Sequence, residues 1–449
     1  MKYIVFSSVL LSVPAAAFLL AMTRRHMRCA MFLLPLPVLC FSATAINFFS
    51  HEFYRGTSRG MEVSIIYLAA LTVLLALAML RGGCALLPTA GSKLYLLYLT
   101  LCLPSLMSAE SCLFAFFEVW KMLMLHLVFL AVFHYLEYSR GDSRILINAF
   151  AFITAGVFLC AVRQHFGGVY QIRAQFPHQN SLSMFMMPLT AIFLSGFLNC
   201  RKMRRRALFF AAFAMAAGTL LRTYSRGAIA CLPLTCLVTA AVSLVYEWQF
   251  RKLQLLSVFA IAGLLITLAF LPRVLERFES APKSSGETRL NFAIAAVNMI
   301  RDEPLFGVGL NNWGIKINPP YEYSTHRDPS RGYSDDFKDG IVETIYLLVA
   351  AECGLPCFFA LLLFFGYYWL TAFRLLRRLR RTPYFYLAAG ILGGLTGIYL
   401  QSVLEWVLKQ QLNFMELLIL FAILDYLNSH WQRLRQQSRE TPQLLEARA

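Results

Sequence analysis

The 449-residue sequence is 58% hydrophobic and only 14% charged, with a mean hydropathy of +0.59. An ordinary soluble enzyme carries about a quarter charged residues and is excluded by this balance. Repeated apolar runs of about 20 residues define instead a polytopic helical membrane protein. Lys and Arg number 41 against 24 Asp and Glu, a formal charge of +17. With no nucleic-acid motif beside it, that excess reads as the basic bias of cytoplasmic loops.

The first apolar run, 3–22, is followed by Thr-Arg-Arg-His-Met-Arg rather than by small residues. It is therefore expected to stay as a span and not to be cleaved as a signal. Further spans are expected at 29–46, 63–81, 94–108, 112–136, 145–162, 180–199, 207–221, 228–246, 254–271, 341–372, 384–404 and 411–427. The total is 12 or 13, because the pair flanking Ser108-Ala109-Glu110 is poorly separated and 94–108 is short for a crossing. The expected fold is an all-α transmembrane bundle over 1–427, followed by a polar, basic cytoplasmic tail at 428–449. Basic clusters at Arg24–Arg28, Arg81–Lys93, Arg140–Arg144, Arg201–Arg206, Arg251–Lys252, Arg374–Arg381 and Arg433–Arg439 alternate onto one side. The polar segments 49–62, 163–180, 222–227 and 272–340 then share the opposite face. Of the 11 cysteines, Cys40, Cys102, Cys160, Cys231 and Cys236 sit in apolar runs, where a thiol behaves as a small hydrophobe. Neither a disulfide framework nor a zinc site is expected.

The stretch 272–340 is far longer than a tight connection between spans, and loops of such length tend to be functional or disordered. Ser284-Ser-Gly-Glu287 fits a capping box, and Leu290, Ile294, Val297 and Ile300 recur at helical spacing, so a short amphipathic helix is expected to end near Asp302 and Pro304. Arg289 would lie in its first turns, either as an anion ligand near unpaired backbone N–H groups or as a plain surface residue. Gly307-Val-Gly309 permits a tight turn, with no Walker or dinucleotide pattern around it. Arg222-Thr-Tyr-Ser-Arg226-Gly227 joins two apolar runs, so both arginines lie at a membrane boundary. There they can snorkel or offer a guanidinium fork to a phosphate. On the same face Arg163, His165, Arg173 and His178 surround Gln175-Phe-Pro-His178-Gln-Asn180. Acidic and imidazole groups crowd the end of the long stretch, among them Glu322, His326, Asp328, Asp335, Asp336 and Asp339. Glu343 stands apart at the mouth of the next apolar run, a place suited to a general base or to favouring a helix N-terminus. Deeper in that run Glu352 must be paired or line a polar cavity. Glu405 and Lys409 lie one helical turn apart and would pair with each other.

The order of these pieces resembles the O-antigen ligase and O-antigen polymerase superfamily of bacterial envelope glycosyltransferases. The resemblance rests on FPHQNSLS, RTYSRGAIA, SSGETRLNFAIAAVNMIRDEPLFGVGLNNWG and ETIYLLVAAECGLP, together covering about residues 170–356. It implies a C-type all-helical fold with a large periplasmic loop in the bacterial inner membrane. It implies transfer of a glycan from undecaprenyl diphosphate to a glycan, lipid or protein acceptor, with neither nucleotide sugar nor metal nor other cofactor. By resemblance, Arg226 and Arg289 match the arginines that hold the donor diphosphate. Lining up Tyr346, Leu347, Glu352 and Gly354 with the family's HN-x-YL-x4-E-x-G motif puts Glu343 and Thr344 where His-Asn would be. Glu343 is then the expected base, with Arg222, His178, Asn180, His326 and Tyr346 as substrate-binding candidates. A transporter or flippase of lipid-linked oligosaccharide is the alternative, although no internal repeat of the kind common in transporters is visible.

Overall fold

The computed structural model describes residues 2–49, 56–257, 283–318, 320–321, 323 and 340–446. Its α-helices are α1 (Lys2–Met22), α2 (Arg24–Leu33), α3 (Phe41–Thr44), α4 (Ile65–Arg81), α5 (Ala90–Cys102), α6 (Cys112–Tyr138), α7 (Arg144–Phe166) and α8 (Gln179–Asn199). They continue with α9 (Met203–Arg222), α10 (Arg226–Tyr246), α11 (Lys283–Asp302), α12 (Trp313–Lys316), α13 (Ile345–Arg378), α14 (Phe385–Gln401) and α15 (Gln411–Glu446). Among the described residues eight helical segments are long and apolar enough to cross a membrane, with three shorter apolar helices beside them. This is an all-α, multi-pass membrane protein. Most of the span expected at 254–271 lies outside the described residues, as do 272–282 and 324–339 with His326. The tail expected from residue 428 continues helix α15 to Glu446.

The run expected as a span at 29–46 is a candidate crossing over Arg24–Thr44 and leads directly into strand β1 (Ala45–Asn47), paired antiparallel with β2 (Glu62–Ser64) in register Ile46 to Val63. Ser64 then turns the ribbon into α4 by accepting the Ile66 N–H at 3.0 Å, and Gly82, at φ +74°, ends that helix.

The chain forms two compact units. One comprises 1–153, 288–368 and 402–426. At one of its ends Arg28 bonds Asp142 and Arg81 bonds Glu137, each at 2.8 Å. These are basic clusters assigned to a single side by charge, and they do meet. At its other end the segments around residues 58, 109, 310, 342 and 405 gather into a polar network.

The second unit comprises 154–287, 369–401 and 427–449. Its hub is α14, whose glycines recur on two faces. A Cβ at Gly390 or Gly394 would collide with the α8 backbone at Ile192 or Pro188, while one at Gly393 or Gly397 would meet Thr239 or Thr235 of α10. Membrane helices lack a hydrophobic drive to associate, and small residues every fourth position compensate by letting backbones approach closely. In this unit Ile172 N–H donates to the Arg222 carbonyl, and Tyr170 stacks on Tyr224 at 5.1 Å, so the polar segments 163–180 and 222–227 share an end. The basic segments also meet: Lys252 bonds Asn199 at 2.6 Å, Glu247 accepts the Arg381 N–H at 2.6 Å, and Arg378 bonds Asn428 at 2.7 Å.

Candidate active site

In the first unit the site is organised by a break in a helix. Residues of α13 are helical on both sides of Gly354, which stands at φ +81°, ψ 171°. In an unbroken helix the carbonyls of Ala351 and Glu352 would accept from residues 355 and 356. Pro356 has no N–H, and the Leu355 N–H points instead to the Pro304 carbonyl at 2.8 Å. The two carbonyls are taken by the loop after α11: Val308 N–H donates to Ala351 at 2.9 Å and Gly309 N–H to Glu352 at 3.0 Å. A Cβ on Gly307 would strike the Glu352–Cys353 peptide, and one on Gly354 would strike the Leu305 carbonyl. The Gly-Val-Gly motif therefore serves close approach of backbone to backbone. The residues after it extend the same work. Asn311 Nδ2 donates to the Ser58 and Phe114 carbonyls, both at 2.8 Å, while Asn312 accepts the Ser111 N–H at 2.8 Å and donates back to the Ser111 carbonyl at 3.2 Å.

Helix α11 rests on this loop through Phe292, Ala295, Ala296 and Met299, which pack with Val308, Trp313, Val342, Leu348 and Ala351. The buried face is thus not the Leu290–Val297 stripe, where Leu290 is 61% and Val297 45% exposed. Both faces of the helix are apolar, and the one carrying the aromatic ring and the small alanines fits against the Trp313 side. The helix already runs at Lys283, so Ser284 lies inside it and the capping box does not mark its start. Arg289 consequently sits in the helix body, away from free N–H groups at its end.

Two sets of charges result. The buried set comprises Glu118 and Lys121 of α6, Glu352 of α13 and Lys409. Lys121 bonds Glu118 at 2.7 Å, Lys409 bonds Glu352 at 2.8 Å, and Lys409 stands 3.7 Å from Glu118. Ser58 and Thr57 hydroxyls donate to Glu118 at 2.5 and 2.9 Å, and the Trp313 N–H reaches Glu352 at 3.3 Å. Two acids and two bases balance, which is the condition for holding charges in so apolar a place. At its edge Glu62, hydrogen-bonded to Gln411, is pushed by burial up to about 7.

The other set is half open. Arg289 Nη2 is in direct ion contact with Glu343, the two side chains being 35% and 36% exposed, and lies 3.7 Å from Glu405, which is 5% exposed. Ile345 N–H donates to the Ser402 carbonyl at 3.2 Å, so the start of α13 and the 402–410 segment are tied together. The pairing expected between Glu405 and Lys409 is not made. Residues 407–409 form a single 3₁₀ turn, and Lys409 turns to Glu352 while Glu405 faces Arg289.

Of the residues singled out from sequence, Arg289 and Glu343 are brought together. Tyr346 is the second residue of α13, and His326 is outside the described residues. The rest belong to the second unit. Arg222 ends α9 with its guanidinium 2.9 Å from the His165 ring, and Arg226 opens α10. His178 caps α8, its Nδ1 accepting the Asn180 N–H at 3.2 Å. Packing around the ring and the Arg173 charge push the His178 pKa down, which suits an imidazole acting as an acceptor. Sequence reasoning missed Glu405 as a site residue, and its spacing to Lys409 pointed elsewhere.

All 11 cysteines are free. Cys102, Cys353 and Cys357 are buried together with their sulfur atoms within 4.8 Å of one another, Cys102 to Cys357 at 3.2 Å. They form the one group among the described residues with three neighbouring soft donors of the kind that suits copper(I) or zinc. The sequence, which showed only thiols in separate apolar runs, did not reveal that grouping.

An all-α, multi-pass membrane protein with a half-open guanidinium and carboxylate cluster at one end defines the class. Residues 210–362 match the family model described as O-antigen ligase, and the match supports the O-antigen ligase and polymerase superfamily as the family of this chain. The match supports an O-antigen ligase-type membrane glycosyltransferase. The matched segment contains Arg226, Arg289, Glu343 and the Gly354 break, and ends before Glu405. No curated protein matches the chain.

Proposed function

We propose that this protein transfers or polymerises an undecaprenyl-diphosphate-linked glycan at the periplasmic face of a bacterial inner membrane. The observation that carries the reading is the contact of Arg289 with Glu343, a cation for a departing diphosphate beside a carboxylate for an acceptor hydroxyl. The acceptor oxygen attacks the anomeric carbon, and the bond from that carbon to the diphosphate oxygen breaks with its electron pair leaving on undecaprenyl diphosphate. The hydroxyl proton passes to Glu343. A fixed guanidinium stabilises the charge that grows on the leaving group, and most strongly where water is scarce. Arg226 is the second arginine that the resemblance assigns to the diphosphate. Arg222, His178, Asn180, His326 and Tyr346 remain candidate contacts for the glycan or its lipid.

The test is reconstitution with a labelled undecaprenyl-diphosphate glycan and candidate acceptors. Donor consumption should fall by about two orders of magnitude or more in Arg289→Ala and in Glu343→Gln, at unchanged amounts of folded protein. Arg226→Ala measures the second arginine separately. Turnover unaltered by all three variants would sink the assigned site, and transbilayer movement of the donor without product would favour the flippase.

A further inference from the structure

The half-open cluster holds one more carboxylate than the reaction as written requires. Among the described residues Arg289 Nη2 faces both Glu343 and Glu405, so this guanidinium is shared by two carboxylates. A diphosphate brings further negative charge, and its approach to that arrangement is opposed unless a carboxylate gives way. The two are not equally able to do so. Glu343 sits in the short segment ahead of α13 and is 36% exposed, whereas Glu405 is 5% exposed. The neighbours of Glu405 are also fixed: Ser402 accepts the Ile345 N–H, and Trp406 packs on the cluster that buries α11. Lys409, on the same segment, is engaged by Glu352 and Glu118. The guanidinium also has donor capacity to spare, since Arg289 Nε is buried with no hydrogen-bond partner among the described residues. A guanidinium presents five N–H groups in a fixed fork, enough to keep one carboxylate while taking up a phosphate oxygen.

We propose that Glu405 is a positioning residue that keeps Arg289 in place while a diphosphate displaces Glu343 from the same guanidinium, so that binding of the donor frees the base. This rests on the assignment of Arg289 and Glu343 made above. While it contacts Arg289, Glu343 serves as a counter-ion and is poorly placed to take a proton. Once the diphosphate is on Arg289, Glu343 turns to the acceptor, and Glu405 prevents the guanidinium from following either group.

The experiment measures binding of labelled undecaprenyl diphosphate, without glycan, to the detergent-solubilised full chain, together with turnover of the lipid-linked donor isolated from its own cells. Glu343→Gln removes the competing anion and should bind the lipid about tenfold more tightly while losing transfer. Glu405→Gln should bind it at least as tightly as wild type yet turn over at about a tenth of the rate, and Glu405→Asp should recover part of that rate. Binding in Glu343→Gln no tighter than wild type overturns the proposal, as does a parallel loss of affinity and rate in Glu405→Gln. Arg289→Ala separates this from the underlying assignment. If that variant still binds the lipid, the diphosphate site itself is wrong; if it loses the lipid and Glu343→Gln gains nothing, only the displacement fails. Thermal unfolding of each variant identifies loss of fold.

Discussion

Glu352 and Glu343 lie nine residues apart on the same segment, and each meets a basic partner, yet the two surroundings differ in kind. Glu352 is sealed with Lys409, Glu118 and Lys121, its second oxygen taken by the Trp313 amide. Glu343 and Arg289 are each about one-third open to the outside. A sealed, neutral quartet cannot receive a substrate, but it can fix the loops that surround one. The open set has the reverse properties, because a pair that is easily hydrated contributes little to stability and can exchange partners. The segment thus carries two carboxylates in unlike settings, one sealed in the frame and one half open.

Breaking the sealed set should have the largest effect. Glu352→Ala or Lys409→Ala leaves a buried charge without its partner and should cost about 3–5 kcal/mol, read as a lowered unfolding temperature in detergent. The double variant Glu352→Leu with Lys409→Met removes one acid and one base together, so much of that loss should return. Next comes Gly354→Ala, which forces a side chain into the left-handed region and against the Leu305 carbonyl; about 1–3 kcal/mol of destabilisation is expected.

A pH series sharpens the boundary of the sealed set. Burial raises Glu62 to about 7 in the folded protein from an ordinary value of 4.5. The folded state therefore keeps a proton that the unfolded chain gives up. Its contribution is complete below about pH 4.5 and is lost as pH rises to about 7, by something on the order of 3 kcal/mol. Glu62→Gln should flatten that slope in thermal unfolding. The smallest effect belongs to the open set. Glu343→Gln should change stability by less than about 1 kcal/mol, in contrast with its loss of transfer. A large drop in unfolding temperature there would erase the distinction between the two sets.

Much of the architecture was legible in the sequence because each span must satisfy its own backbone and shows as an apolar run. Within each unit, loops grouped by charge counting do approach one another: Arg28 pairs with Asp142 in the first, and Lys252 stands 3.6 Å from Glu247 in the second. The nearness of Arg289 to Glu343 followed from the family resemblance. Other features had no local signature. Helix α11 has two apolar faces, and only the shape of the Trp313 surface selects Phe292 over Leu290. Glu405 meets a partner more than 100 residues away, while its spacing to Lys409 resembles a helical pair. The Ala45–Asn47 strand was concealed because an apolar run ending in β structure has the composition of one that stays helical.

The break at Gly354 also has a mechanical meaning. Two amides of the 304–309 loop close the hydrogen-bond ladder of α13, so the loop acts as a splint across a fracture. A splint cannot slide without opening the fracture. Arg289 leads into that loop through α11 and Glu343 precedes the splinted helix by two residues, so the two anchoring segments keep a constant spacing. In hydrogen exchange the Val308 and Gly309 amides should therefore open with the helix they mend, as slowly as Ala351 and unlike ordinary loop amides.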